Sequence, residues 1–183
     1  MAGGDPDREA ARAGQPKDAA LGPDLQPGLA YLVLSAHPDP VFGYMVDKIP
    51  AQTRKLAITR QPPERVRRQF NLPNAELYWL TQNLGDDHCI HPESIPLIST
   101  IVSEFMGKPR PGVAVLGGTE YLSTQNDFDG VLRLIQFLND KVMVSPSCLL
   151  VVMDPESHPA QQLHLAEDEL ETLPPATFAR AGD

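Results

Sequence analysis

The sequence predicts an α/β domain, a three-layer sandwich in which helices cover both faces of a mostly parallel five-stranded sheet. Two runs, residues 113–116 and 148–153, are short, wholly apolar and bounded by glycine, proline or serine, as is typical of strands buried on both faces. From Asp127 onward, apolar residues recur three and four positions apart, the spacing of a helix. Strand, helix and strand in succession predict a βαβ unit with parallel strands and a right-handed crossover.

The rest of the chain repeats this alternation, so we expect five strands and five helices in all. The first helix is predicted from apolar spacing, with Asp39 as its cap and Pro40 in its first turn. In chain order the predicted elements are a strand at 30–34, a helix at 39–49, a strand at 56–59, a helix at 64–70, a strand at 77–80, a helix at 93–106, the βαβ unit, and a helix at 160–173.

The two ends of the chain differ in composition from this middle part. Residues 1–28 consist largely of Ala, Gly, Pro, Asp and Arg and carry too little apolar surface to offset the entropy of ordering them. We therefore predict a disordered N-terminal arm at 1–28, a single α/β domain at 29–173 and a flexible C-terminal tail at 174–183.

Composition excludes several classes of protein. A net charge of -9 argues against a general nucleic-acid binder. No apolar run approaches the roughly 20 residues of a membrane span, and the N-terminus lacks the apolar core of a signal peptide, so we expect a cytoplasmic protein. The two cysteines, Cys89 and Cys148, indicate no disulfide framework.

The carboxyl ends of parallel strands are where ligands bind in such sheets. We therefore predict that polar and glycine residues following the strands would line any ligand site. These candidates are Ser35, His37, Thr59, Thr81, Gly118, Glu120 and Asp154. Glu120 is predicted either to face Arg60, as an ion pair or a ligand contact, or to lie in a turn that packs Tyr121 and Leu122 against the next helix.

The same residues do not form a recognisable catalytic motif. The loop at 35–40 has no Gly, no Lys and two prolines, whereas a phosphate-binding loop needs Gly-rich backbone and a Lys. Ser35, His37 and Asp154 lack the Gly-x-Ser-x-Gly turn of a hydrolase nucleophile. We predict no catalytic residue, no cofactor and no ATP hydrolysis.

The stretch at 86–91 is the most metal-like in the chain. His88, Cys89 and His91 are side chains that bind zinc, but their spacing matches no strong zinc signature and no second ligand pair is visible. We predict a solvated loop here and no metal.

Several short motifs recur in an order that resembles a known family. The motifs are AITR at 57–60 followed by Pro63, YWLT at 78–81, and GTEYL at 118–122 followed by Asn126 and Phe128. Together they resemble the domain of unknown function 835 family, from about residue 29 to residue 173. That family is found in archaea and bacteria, often attached to sensor or response-regulator modules, and has no established activity. The resemblance implies a signalling context.

The strand that ends at Gly117 also resembles the strand that carries the metal-holding acid in RecA-like and KaiC-like ATPases. Gly117 stands at the position where this strand commonly ends in Asp, and the lack of that acid argues against Mg²⁺ binding. The resemblance implies a degenerate RecA-like or Rossmann-like core without a phosphate loop. It also predicts that the first strand lies between the fourth and the fifth.

Charge is unevenly distributed. Between residues 54 and 68 the only acid is Glu64, and residues 154–183 carry seven acids against Arg180. The basic residues are Arg54, Lys55, Arg60, Arg65, Arg67 and Arg68. Both clusters are interpreted either as solvated helix faces or as parts of an oriented protein contact.

These observations favour a non-catalytic adaptor or regulator in a bacterial signalling or localisation system. The basic residues would bind another cytoplasmic protein with an acidic surface, or the acidic helix of a second copy to give a homo-oligomer. The acidic residues of that helix are Glu167, Asp168, Glu169 and Glu171. The alternative is a small-molecule or nucleotide-sensing domain that uses the carboxyl edge of the sheet.

Overall fold

Seven parallel strands form one sheet in the computed structural model, which describes residues 20–179. All five predicted strands are present and parallel, so the α/β class is confirmed. The strands are β1 (Ala30–Leu34), β2 (Arg54–Thr59), β3 (Ala75–Leu80), β4 (Cys89–Ile90), β5 (Gly112–Leu116), β6 (Cys148–Met153) and β7 (Glu171–Thr172). The helices are α1 (Asp39–Asp47), α2 (Pro63–Gln69), α3 (Ile95–Met106), α4 (Thr119–Asn126), α5 (Phe128–Met143) and α6 (Ala160–Glu169), and a 3-10 turn spans Pro175–Phe178.

The middle of the sheet is apolar because its strands are covered on both faces. Every residue of β5 and β6 is buried, as their unbroken apolar sequences predict. Helices α3 to α6 contribute side chains to the core on one face, and α1 and α2 contribute to the core on the other. The helices thus form the two outer layers of the predicted sandwich.

The strand order is β4-β3-β2-β5-β6-β1-β7, which corrects one prediction. The first strand does not lie between the fourth and fifth predicted strands, because β5 pairs directly with β6 from Val113↔Cys148 to Leu116↔Val151. Consecutive strands of a βαβ unit are usually neighbours in space. Strand β1 pairs instead with the far side of β6, and the chain crosses over β6 and β5 to reach β2.

The C-terminal prediction is wrong beyond residue 169. Helix α6 ends because Leu170 is extended (φ -127°, ψ 147°), which leads the chain into β7 beside β1. The 3-10 turn then buries Phe178, whose ring centroid is 5.5 Å from that of Tyr44. Residues 174–179 are therefore packed, and residues 180–183 of the predicted tail lie outside the described part of the chain.

The predicted N-terminal arm also extends too far. Leu21 and Leu25 are 0% and 4% exposed and belong to the core on the α1–α2 face. The Tyr31 hydroxyl accepts a hydrogen bond from the Gln26 amide at 2.9 Å, and Thr53 donates to the Ala20 carbonyl. The burial of these two leucines, together with the two hydrogen bonds, holds the segment at 20–28 against the rest of the domain. Residues 1–19 of the predicted arm lie outside the described residues.

None of the helices within residues 20–179 combines the length and the apolar character needed to cross a bilayer.

Candidate functional site

All the strands are parallel, so their carboxyl ends meet at one edge of the sheet, which we call the carboxyl edge. Neighbouring strands β2 and β5 lead into helices on opposite faces, α2 and α4, and so do β1 and β6, which lead into α1 and α6. Ligands of open α/β sheets bind where connections diverge in this way. The seven candidate residues all follow or end strands at this edge: Ser35, His37, Thr59, Thr81, Gly118, Glu120 and Asp154.

Of the two glycines after β5, Gly118 is the one that lets the chain lie tightly against the end of β2. Gly118 has φ +71°, and a Cβ there would lie 2.8 Å from the Cγ of Arg60. A Cβ at Gly117 would lie 3.4 Å from Cγ2 of Thr59, an ordinary contact. Gly118 is therefore required both by its left-handed backbone and by the closeness of the Arg60 side chain.

Arg60 contacts the first turn of α4 through an aromatic ring. Its guanidinium lies 3.8 Å from the ring centroid of Tyr121, and it donates a hydrogen bond to the carbonyl of Leu80. No ion pair between Arg60 and Glu120 occurs among residues 20–179. Leu122 is fully buried, so the predicted packing of Tyr121 and Leu122 is confirmed, and the predicted ion pair between Arg60 and Glu120 is wrong.

Two threonines of the candidate set serve the turns that follow their strands. Thr59 is 2% exposed and Thr81 is 6% exposed. The Thr59 hydroxyl accepts from the amide of Gln61 at 3.2 Å, and the Thr81 hydroxyl accepts from the amide of Asn83 at 3.1 Å. These hydroxyls stabilise backbone turns.

Thr119 and His158 form a buried polar pair that the sequence did not indicate. The Thr119 hydroxyl donates to the Val152 carbonyl at 3.1 Å and lies 3.1 Å from Nε2 of His158. On the other side of the ring, Nδ1 of His158 is 2.9 Å from Oε1 of Gln162. With Thr119 fully buried and His158 5% exposed, the pair joins α4, β6 and the start of α6.

Asp154 is held by the turn that follows β6. Its carboxylate accepts hydrogen bonds from the Ser157 hydroxyl and, at 2.9 Å, from the Glu156 amide. These bonds, the Ser157 hydroxyl above all, lower the pKa of Asp154, and electrostatic interaction with His158 and His37 lowers it further. The carboxylate is therefore stable as the anion.

Ser35, His37 and Asp154 do not form a hydrolase triad. The Ser35 hydroxyl donates to the backbone carbonyl of His37 at 2.7 Å, so it is used within its own loop. Within residues 20–179, no hydrogen bond joins the side chains of these three residues. A nucleophile and a base would need such contact.

Asp39 has a different role from the predicted one. Helix α1 begins at Asp39 after Pro38, without a side-chain cap. Its two carboxylate oxygens accept from Nε2 of Gln61 at 2.5 Å and of Gln69 at 3.0 Å. Asp39 thus ties α1 to α2 across the end of β2, which the sequence did not indicate because the partners are far apart in the chain.

The predicted basic patch does not form one surface. Arg54 lies at the amino end of β2, donates to the Arg110 and Phe105 carbonyls at 3.0 Å, and lies over the Phe105 ring. Arg60 is six residues further along, about 20 Å away in an extended strand. Lys55 is 6% exposed on the other face of the sheet, and burial lowers its pKa.

Three of the predicted basic residues do share one exposed helix. We call Arg65, Arg67 and Arg68 of α2 the α2 arginine surface; all three are exposed. Arg67 lies 3.7 Å from Glu64 in an exposed ion pair, and Arg68 donates to the Glu64 carbonyl at 3.3 Å. Four acids of the other cluster lie on α6 and β7, and β7 is at the opposite end of the strand order. They are Glu167, Asp168, Glu169 and Glu171.

The metal-like stretch at 86–91 is a loop only in part, because Cys89 and Ile90 form β4 beside β3. The prediction of a solvated loop is therefore wrong for these two residues, and the contacts of the stretch are local. The His88 ring packs on Tyr78 with centroids 5.8 Å apart, and Sγ of Cys89 is 3.6 Å from the Asp86 carboxylate. Across the described residues, no group of three or more His, Cys, Asp or Glu side chains has an arrangement that would hold a metal ion.

Comparison with known proteins identifies a family. The model of the family described as Protein of unknown function (DUF835) matches residues 37–170, well over half of the chain. This segment runs from the loop after β1 to the end of α6 and includes the motifs at 57–60, 78–81 and 118–122. The chain has no match among the curated proteins.

Proposed function

Since the chain belongs to the DUF835 family, whose function is unknown, we propose that it is a non-catalytic protein-binding adaptor or regulator of a bacterial signalling or localisation system. The α2 arginine surface would bind an acidic partner in the cytoplasm. One observation carries the proposal: two acids and two hydroxyls at the carboxyl edge are engaged in the protein's own structure, whereas the arginines of α2 are exposed.

Several acids and hydroxyls of the carboxyl edge are hydrogen-bonded to other groups of the protein. Asp39 accepts from two glutamines, and Asp154 accepts from its own turn. Ser35 donates to the backbone of its own loop, and Thr119 donates to the end of β6. A general base must be able to reach a substrate proton, and these contacts occupy the carboxylates of Asp39 and Asp154.

The α2 arginine surface, in contrast, is exposed. Its exposed ion pair to Glu64 is of a kind worth about 0–1 kcal/mol, so the guanidinium groups remain free to exchange partners. On a protein of net charge -9, a local positive surface steers an acidic partner into one orientation. Such a surface raises the rate of association more than the final affinity.

The test compares two triple variants with the same change in net charge. The first carries Arg65, Arg67 and Arg68 changed to Glu. The control carries Lys108, Arg110 and Arg133 changed to Glu, at exposed positions in the loop after α3 and on α5. Proteins captured from cell lysate by the wild type would be identified, and their association rates measured at increasing salt.

The proposal expects slower association and a smaller salt dependence for the α2 variant alone. Equal effects of the two triple variants would show a general charge effect and would contradict a specific surface. If self-association is lost instead, and reversal of the acids at 167–171 restores it, the α2 arginine surface binds a second copy of the chain.

The sensing alternative is favoured by the geometry of the glycine turn. Gly118 immediately precedes α4 and lies against Arg60 at the junction of β2 and β5, where α/β sheets bind ligands. Thermal-shift measurements with nucleotides distinguish the two functions. A partner without any nucleotide shift supports the adaptor, whereas a shift that Gly118→Ala abolishes supports the sensor.

A further inference from the structure

A cavity opens at the amino edge of the sheet, on the side opposite to the candidate site. It has a volume of about 150 Å³ and lies between the C-terminal half of α1 and the segment that leads from α2 into β3. Its inner walls include Met45, Ile49 and Leu72, which are 1%, 4% and 3% exposed. At its mouth are the exposed amides Asn71 and Asn74.

Lys55 is the one ionisable side chain among the described residues that line this cavity. It is the second residue of β2 and is only 6% exposed. Its Nζ donates to the Pro50 carbonyl at 2.9 Å and to the Thr53 carbonyl at 3.2 Å. An ammonium group has three N–H donors, so residues 20–179 supply acceptors for two of them.

Among residues 20–179, no acidic side chain forms an ion pair with Lys55. Burial is the cause that lowers the pKa of this lysine. A buried cation without a counter-ion is unfavourable, and pairing with an anion would relieve that cost.

We propose that this cavity binds a small aliphatic monocarboxylate, whose carboxylate accepts the third N–H of Lys55 and whose hydrocarbon part packs against Met45, Ile49 and Leu72. The chemistry of the walls sets the class of ligand: one positive charge, apolar sides and no second cation for a diacid or a phosphate. A cavity of about 150 Å³ is of the size that holds a benzene molecule, which suits an acid of about four carbons.

Butyrate is the probe, and butyramide is its control because it has nearly the same shape without the charge. Each is titrated into the full chain in a buffer free of carboxylates, with backbone amide chemical shifts as the readout. We expect saturable shifts at Ala51 and Ala75, which line the cavity, and at least tenfold weaker binding of butyramide.

Lys55→Met keeps the length of the side chain and removes its charge, and Lys48→Met is the matched control on an exposed lysine nearby. We expect at least a tenfold loss of butyrate affinity for Lys55→Met and none for Lys48→Met. Should Lys55→Met fail to fold, the comparison of butyrate with butyramide on the wild type decides alone. Absence of saturable shifts up to tens of millimolar, equal binding of the two probes, or shifts confined to the arginines of α2 would overturn the proposal.

Discussion

Replacing Gly118 by Ala tests whether the glycine turn after β5 is held against β2 by backbone conformation and close packing. Gly118 has φ +71°, and the new Cβ would lie 2.8 Å from Cγ of Arg60 and 3.3 Å from Cδ1 of Leu80. Real Cβ contacts do not occur at the shorter distance, so the Arg60 side chain must move away. Its guanidinium would then leave the Tyr121 ring, which now lies 3.8 Å from it.

The expected loss of unfolding free energy in Gly118→Ala has two parts. Placing an L side chain in the left-handed region costs roughly 1–2 kcal/mol, and an exposed cation–π contact is worth about 0.5–1 kcal/mol. The sum, about 1.5–3 kcal/mol, corresponds to a fall in Tm of roughly 3–12 °C for a chain of this size. Thermal melts and urea unfolding of the wild type and Gly118→Ala measure it.

Two control experiments separate the backbone cost from the cost of displacing Arg60. Gly117→Ala places a Cβ 3.4 Å from Thr59, without a left-handed φ, and should change the free energy of unfolding by less than about 0.5 kcal/mol. In an Arg60→Ala background, Gly118→Ala should cost only the backbone part. If Gly118→Ala and Gly117→Ala are equally stable, or if removing Arg60 leaves the cost of Gly118→Ala unchanged, the close-packing argument is wrong.

Three further predictions concern other parts of the fold. Leu21→Ala should lower the free energy of unfolding by about 2–5 kcal/mol in urea, because Leu21 is fully buried; a loss under 1 kcal/mol would mean that the segment at 20–28 is dispensable. Ser157→Ala should raise the pKa of Asp154 toward 3.8, measured by carboxyl NMR titration, because it removes the main hydrogen bond to the anion. Because the pKa of Asp154 is lowered in the folded state, the ionised carboxylate stabilises the fold above pH 3.8, and this stabilisation is lost as the pH falls through the folded pKa. The difference in unfolding free energy between wild type and Ser157→Ala should therefore become smaller at acid pH. A difference that stays constant with pH would refute this. Thr119→Val should cost about 1–3 kcal/mol of unfolding free energy, since it leaves buried His158 without that partner, whereas Thr119→Ser should retain most of the stability.

Local sequence patterns determined the secondary structure of the middle of the chain. The strands at 113–116 and 148–153 were identified from apolar runs, and both are buried throughout. Parallel pairing also followed, because a helix of this length between two strands allows little else. The residues of the carboxyl edge were predicted for the same reason, since each follows a strand whose direction was already known.

Contacts between distant segments could not be read from the sequence in this way. The position of β1 outside β6 depends on which pairs of strands meet, and the pattern of β1 suits any place in the sheet. Leu21 and Leu25 lie in a segment whose composition resembles a disordered arm, and only the surface formed by α1 and the sheet makes their burial favourable.

The basic cluster shows most directly why the sequence does not reveal contacts between distant segments. Arg54, Lys55 and Arg60 are close in sequence, but an extended strand separates residues by about 3.3 Å each and turns successive side chains to opposite faces. Arg54 therefore lies over Phe105 at one end of β2, Arg60 lies over Tyr121 at the other, and Lys55 is buried on the opposite face. The sequence by itself determined how much charge the segment carries, and the tertiary structure decided where each charge lies, because each neighbour comes from a distant part of the chain.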